Sequence, residues 1–207
     1  MQHTIEHHFN TSNHLIVTGR KKAQYNHLVA PVTGAILVRL GKLTHYVAAG
    51  QHFWINQDCL QSLLILPHTE WQAIQISVRS QHSFSPQAGL MHHPLLTPIL
   101  DELRNQPSEE LSRHLLNTLH QLLSELRVAT QTKHSMTLDN SKVLHGHKKV
   151  FDALAPNDIE LVSQCLHLAE AVKMKRSGKK MEVIAEQLGL DIQQLINRSQ
   201  LLLGEDW

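Results

Sequence analysis

From about residue 13 to residue 80 the apolar positions come in short clusters. They are Leu15 to Val17, Leu28 and Val29, Ala35 to Leu40, Thr44 to Val47, His52 to Ile55, Leu63 to Leu66, and Ile74 to Val78. Gly19, Pro31, Gly34, Gly41, Gly50 and Pro67 interrupt them. Short runs at this spacing predict an all-β sandwich or barrel. Strict alternation is missing: around Trp71 to Ile76 apolar and polar residues do not separate cleanly onto two faces. The spacing of the runs, rather than their period, therefore carries the prediction.

The period changes near residue 94. Leu95, Leu96, Ile99, Leu100 and Leu103 recur at helical spacing, and Pro107-Ser108 interrupts and restarts the pattern. Leu111, Leu115, Leu116, Leu119, Leu122, Leu123 and Leu126 then line one helical face, with Glu110, Arg113, Asn117, Gln121 and Glu125 opposite. The expectation is an antiparallel helical hairpin over 94–128. Its leucine face could pack on the β section or pair with a second copy. Nothing nearby obviously needs it, so self-association through Leu111, Leu115, Leu119, Leu122 and Leu126 is the expected use. Residues 129–150 are polar and mixed and read as a linker.

Residues 151–207 read as a small helical domain. Ala155-Pro156-Asn157-Asp158 signals a helix start, and Ser177-Gly178 ends that helix. The run from Met181 to Leu195 then predicts two short helices and a tight turn. Ala185 is small, where two helices would cross closely. Gly189 sits where a positive φ is needed. Ile184, Leu188, Leu190 and Leu195 supply the shared apolar face. Asp191 can cap the second helix, with Gln194 reaching back in a capping box. This is the helix-turn-helix pattern, whose second helix can enter the DNA major groove; a turn between two core helices is the plainer alternative.

Composition narrows the classes. The chain has 207 residues, 42% hydrophobic and 18% charged, which fits a folded rather than a disordered protein. No apolar run approaches the roughly 20 residues of a membrane span, and the N-terminus lacks the pattern of a secretory signal, so a cytoplasmic location is expected. Cys59 and Cys165 read as isolated thiols, not a disulfide framework. Net charge is only +1, so the chain is not a polybasic binder. Residues 151–207 carry six Lys/Arg and nine Asp/Glu, a net of −3. The positive charge there gathers in Lys173, Lys175, Arg176, Lys179 and Lys180, either to meet phosphates or as a solvated helix end.

A β section, a leucine-rich hairpin and a helix-turn-helix, in that order, resemble the AraC-like transcriptional regulators. In the β part, Gly34-Ala35-Ile36-Leu37, Val47 to Ile55 and Pro67-His68-Thr69-Glu70 look like a cupin-type barrel, with Gln51 in place of the usual aspartate. In the helical part, Ile184-Ala185, Gly189-Leu190, Leu195 and Gly204 fall where the family has its first helix-turn-helix. At the start of the second helix the family's usual serine is replaced by Asp191, and Asn197 and Ser199 stand for its arginine and phenylalanine. Family members usually carry two such units. This chain accommodates one, and a single unit needs dimerisation to bind tightly.

The resemblance implies an α+β protein with four parts: a cupin-like β-barrel over 1–93 that senses a small molecule or serves as a platform, a dimerising hairpin over 94–128, the linker, and an all-α helix-turn-helix domain over 151–207. It implies a double-stranded DNA partner and a homodimer. Gln193, Gln194 and Asn197 would face base edges, since amide side chains suit adenine. Arg198, Lys179 and Lys180 would face phosphates. Two rivals stand beside this reading. One is a protein–protein regulator without DNA binding that pairs with a full-length relative.

The other rival is a cupin-type metal binder or enzyme, suggested by the seventeen histidines. Its nearest candidate ligands are His45, His52 and His68 with Glu70, but no His-x-His with a suitably spaced Glu occurs in the β section. Neither a Gly-x-Ser-x-Gly elbow nor a phosphate-cradling loop is present. The expectation is therefore a non-enzyme with no metal or cofactor.

Overall fold

The computed structural model describes residues 4–80, 82–128, 136–139, 156–205 and 207. The chain begins with ten strands: β1 (Ile5–Ser12), β2 (Ile16–Val17), β3 (Lys21–Lys22), β4 (Asn26–Thr33), β5 (Ala35–Leu40), β6 (Leu43–Ala48), β7 (His52–Ile55), β8 (Leu60–Ile65), β9 (Thr69–Ile76) and β10 (Gly89–Met91). Helices α1 (Leu96–Arg104) and α2 (Glu109–Glu125) follow, then β11 (Met136–Asp139). The chain ends with α3 (Pro156–Arg176), α4 (Met181–Leu188) and α5 (Ile192–Leu203). Every predicted β run from Leu15 to Ile76 overlaps a strand, and both predicted hairpin helices form.

The expected barrel is instead two antiparallel sheets, neither of them closed. One has the order β1-β9-β4-β7-β10, the other β11-β6-β5-β8-β2, with β3 also on β8. Closure would need edge strands that run on from one sheet into the other. Here the edges β2 and β10 are only two and three residues long. Part of the stretch expected as a linker, Met136–Asp139, is itself an edge strand paired to β6. The rest of 129–150 lies outside the described residues.

The sheets are stacked with helices on both outer faces, giving four layers and three cores. Between α1–α2 and the first sheet lie Leu28, Trp54, Ile74, Leu100, Leu119 and Leu123. Between the two sheets lie Val29, Ile36, Val38, Phe53, Ile55 and Ile65. Between the second sheet and α3–α5 lie Ala35, Leu37, Leu64, Leu66, Cys165 and Leu195. Alternate residues of one strand thus enter different cores: in β5, Ala35 and Leu37 point outward while Ile36 and Val38 point inward. A strand buried on both faces has no polar side, which is why its sequence does not alternate.

The chain passes from the first sheet to the second at Gly34, between β4 and β5. Its φ is +67°, and a Cβ there would run into Thr69 Oγ1. That hydroxyl is occupied by Ala35, accepting from its N–H and donating to its carbonyl, both at 3.3 Å. Only glycine meets both the backbone and the space requirement.

The leucine stripe of α2 is mostly spent inside the protein. Leu119 and Leu123 are fully buried against the first sheet, and Leu115, Leu116, Leu122 and Leu126 pack around them. Leu111 is exposed. Ser108 caps the helix by accepting from Leu111 N–H.

Candidate nucleic-acid interface

The candidate site is built on α3. This helix presents Val162, Cys165, Leu166, Leu168 and Ala171 to the second sheet and to the last two helices. Burial pushes the Cys165 thiol up to about 12 and also raises Cys59, so neither is poised as a nucleophile. Both cysteines are free. Arg39 of β5 donates to Glu170 of α3 at 2.9 Å, an ion pair between sheet and helix. Arg176 at the end of α3 donates to the Val17 carbonyl.

Helices α4 and α5 meet at a sharp turn. Ile184 and Ala185 are buried in the core shared by α3, α4 and α5. Gly189 lies in the left-handed region at φ +65°, and Leu190 N–H donates to the Ala185 carbonyl at 3.0 Å. That six-to-one bond closes α4 as a Schellman turn. Asp191 then caps α5, and both halves of the capping box form: the carboxylate accepts from Gln194 N–H, and the Gln194 side chain accepts from Asp191 N–H.

Helix α5 buries Leu195, Ser199 and Leu202 and exposes Gln193, Gln194, Asn197, Gln200 and Leu201. Gln193 donates to Asn197 Oδ1 at 2.9 Å, one turn along. The far end of α5 is held by Leu15 N–H, which donates to the Leu202 carbonyl at 2.6 Å. The residues expected to read bases therefore lie together on the outer face of a helix whose inner face is anchored.

The cations are placed less uniformly. Lys180 is exposed just before α4, and Lys179 is exposed but donates to Gln187 Oε1 at 2.8 Å. Arg198 is half-buried on α5. Lys175 stacks its ammonium 4.5 Å from the Trp207 ring centre, and Lys173 pairs with Glu170. Glu182, Glu186, Asp191 and Glu205 are exposed around the same helices. The Lys175–Trp207, Arg39–Glu170 and Lys179–Gln187 contacts join residues distant in sequence or of mixed type, and periodicity has no signal for them.

The histidines proposed as metal ligands are not brought together. His45 packs against Phe53, 5.1 Å between ring centres, whereas His52 turns to the opposite side of β7 and contacts Thr97 of α1. His68 occupies an exposed turn at φ +56°. Among the described residues no three His, Cys, Asp or Glu side chains converge on a metal position. No helix among them is long and apolar enough to cross a membrane.

No protein-family profile matches the chain, and no curated protein matches it in sequence. Solved structures resemble it in shape. One is ToxT from Vibrio cholerae, with 9% identity, a TM-score of 0.39, and coverage of 99% of this chain and 96% of that one. Another is the AraC-like transcriptional activator CuxR, with 8% identity, a TM-score of 0.46, and coverage of 95% and 70%.

Proposed function

We propose that this chain is a DNA-binding transcription regulator of AraC-like type, not an enzyme. Helix α5 enters the major groove, and the β section senses a small molecule. One observation carries the reading: Gln193 and Asn197 share the exposed face of a capped helix that is anchored on its other side and preceded by a left-handed glycine turn. Amide side chains on such a face present paired donors and acceptors to adenine. Lys179, Lys180 and Arg198 supply phosphate contacts. Gln194 serves first as the N3 member of the cap, and its outer side adds to the same surface.

Paired across a two-fold axis, two copies of this unit read two half-sites one helical turn, about 34 Å, apart. Leu111, exposed on α2, and the half-buried Leu115, Leu122 and Leu126 form the homodimer seam, with the buried Leu119 beneath them. The test is binding of the purified protein to DNA, including its own promoter region, across a salt series. Affinity is expected to fall steeply as salt rises. Absence of salt-dependent binding to any DNA overturns the proposal.

A second reading rests on the charge of this end of the chain. Residues 151–207 carry a net of −3, and Val183, Ile192 and Leu201 of the last two helices expose 40%, 40% and 74% of their surfaces. Acidic and apolar together suit a protein partner better than a phosphate backbone. Co-purification of a longer regulator without DNA retention would favour it.

A further inference from the structure

Strand β1 is a long free edge of the first sheet among the described residues. The edge strands β2, β10 and β11 are only two, three and four residues long. β1 runs for eight residues and pairs with β9 without a bulge. It holds no Lys, Arg or Pro. Short length, bulges, lysine and proline are the usual protections of an edge that stays open to water. β1 carries none of them, which is the pattern of a strand that takes a partner.

The backbone sets which residues that edge offers. Ser77 N–H donates to the Thr4 carbonyl at 2.9 Å, so Thr4 and Ser77 form a hydrogen-bonded pair. Along an antiparallel ladder the bonding direction alternates. Glu6, His8 and Asn10 therefore turn their N–H and C=O toward β9, and Ile5, His7, Phe9 and Thr11 turn theirs outward. Side chains alternate too. Ile5 lies in the core beneath α2, which puts His7 and Phe9 on the α2 side and Glu6 and His8 on the opposite side. A groove of about 580 Å³ runs between β1 and α2, with Ile5, His7, Arg113 and Leu116 in its walls. Phe9 lies outside it and is 42% exposed.

We propose that β1 pairs antiparallel with β1 of a second copy, about a two-fold axis through His7. Outward residues must meet outward residues, so the axis passes through a residue rather than between two. An axis at Glu6 or at His8 sets two like side chains against each other, and one at Phe9 leaves Ile5 of both copies without a partner. The axis at His7 sets Glu6 opposite His8 twice, a favourable cross-strand pair. Glu6 and His8 lie 3.5 Å apart within one strand, so the four side chains alternate around a square, each carboxylate between two imidazoles. On the other face Phe9 of the second copy lies opposite Ile5, at the groove beside Leu116, and its exposed ring is covered. Ile5, His7 and Phe9 exchange about six backbone bonds across the axis. Charge pattern and groove both complement this strand itself, which favours a second copy over a foreign strand.

This contact is separate from the leucine seam, since Arg113 lies about 200° round α2 from Leu111. It is therefore tested in the full chain carrying Leu111→Glu, and its failure leaves the DNA-binding reading untouched. A strand pair alone is a small interface, so sedimentation equilibrium is expected to show dimer at about 100 μM protein and monomer at about 1 μM. Adding Glu6→Lys should weaken association at least about fivefold, because lysine then faces His8, and adding His8→Glu to Glu6→Lys should restore it. Both side chains are exposed, so melting temperatures are expected to stay unchanged. In the otherwise unaltered chain, His7→Cys, on the axis, is expected to cross-link into a dimer under mild oxidation. Phe9→Cys is expected not to, because the two copies of that position lie about 13 Å apart along the strands. Monomer at about 100 μM in the Leu111→Glu chain overturns the proposal. So does association indifferent to Glu6→Lys, or cross-linking by Phe9→Cys in place of His7→Cys.

Discussion

Acid is expected to loosen the packing of α1 on the first sheet through one residue, His52. The residue is 6% exposed, and its Nε2 lies 3.4 Å from Thr97 Oγ1. Burial, helped by the nearby His92 and opposed by Asp101, lowers its pKa from 6.5 to about 4. The folded protein therefore holds the ring neutral where the unfolded chain would protonate it. For a group with a depressed folded value of this kind, the stabilising contribution is whole above pH 6.5. It declines as pH falls and is fully lost below about 4. Each pKa unit is worth about 1.4 kcal/mol, so the wild type is expected to lose about 2–3 kcal/mol through this residue between pH 7.5 and 4.5.

The assay is urea unfolding of the wild type and of His52→Gln, which keeps a hydrogen-bonding group but cannot titrate. Other histidines, His7, His27, His45 and His120, are also lowered chiefly by burial. Their contribution is common to both proteins, so the difference between the two pH profiles isolates His52. Parallel profiles would refute the assignment, showing that the ring is solvated in the folded state. A wild-type slope steeper by up to one proton between pH 6.5 and 4.5 would bear it out.

Two further outcomes separate structure from function. Gln193→Ala and Asn197→Ala are each expected to weaken binding to a preferred DNA sequence by about 1–3 kcal/mol while leaving the melting temperature nearly unchanged, because both side chains are exposed; equal losses on all sequences in a binding assay would argue against base reading. On α2, Leu119→Ala is expected to cost about 3 kcal/mol of stability from a fully buried site. Leu111→Glu, at a position 42% exposed, is expected to shift sedimentation toward monomer with little loss of stability. A dimer that withstands Leu111→Glu would place the interface elsewhere.

The helix termini were the most legible part of this chain. Asp191 with Gln194, and Gly189, act within a few residues of themselves, so their roles are set by local backbone chemistry and can be read without neighbours; Ser108 was read as a break in the pattern, and the structure shows it to be a cap. The strand runs were legible too, since turns at Gly34, Gly41 and Gly50 are local events. Strand β1 was missed: Ile5 to Ser12 is mostly polar, and only pairing along β9 makes it a strand. Met136–Asp139 was missed for the same reason, its order coming from β6.

What the sequence determined by itself was the order of elements: strands, a helical hairpin, then a long helix and a capped pair. Each follows from periodicity and punctuation over a dozen residues or fewer. Tertiary structure decided how those elements share their surfaces. It turned the expected barrel into two stacked sheets, and it spent most of the leucine stripe on the first sheet. It also set Gln61 of β8 opposite Lys21 of β3. Burial is a property of two surfaces meeting, and a chain states only one of them at a time.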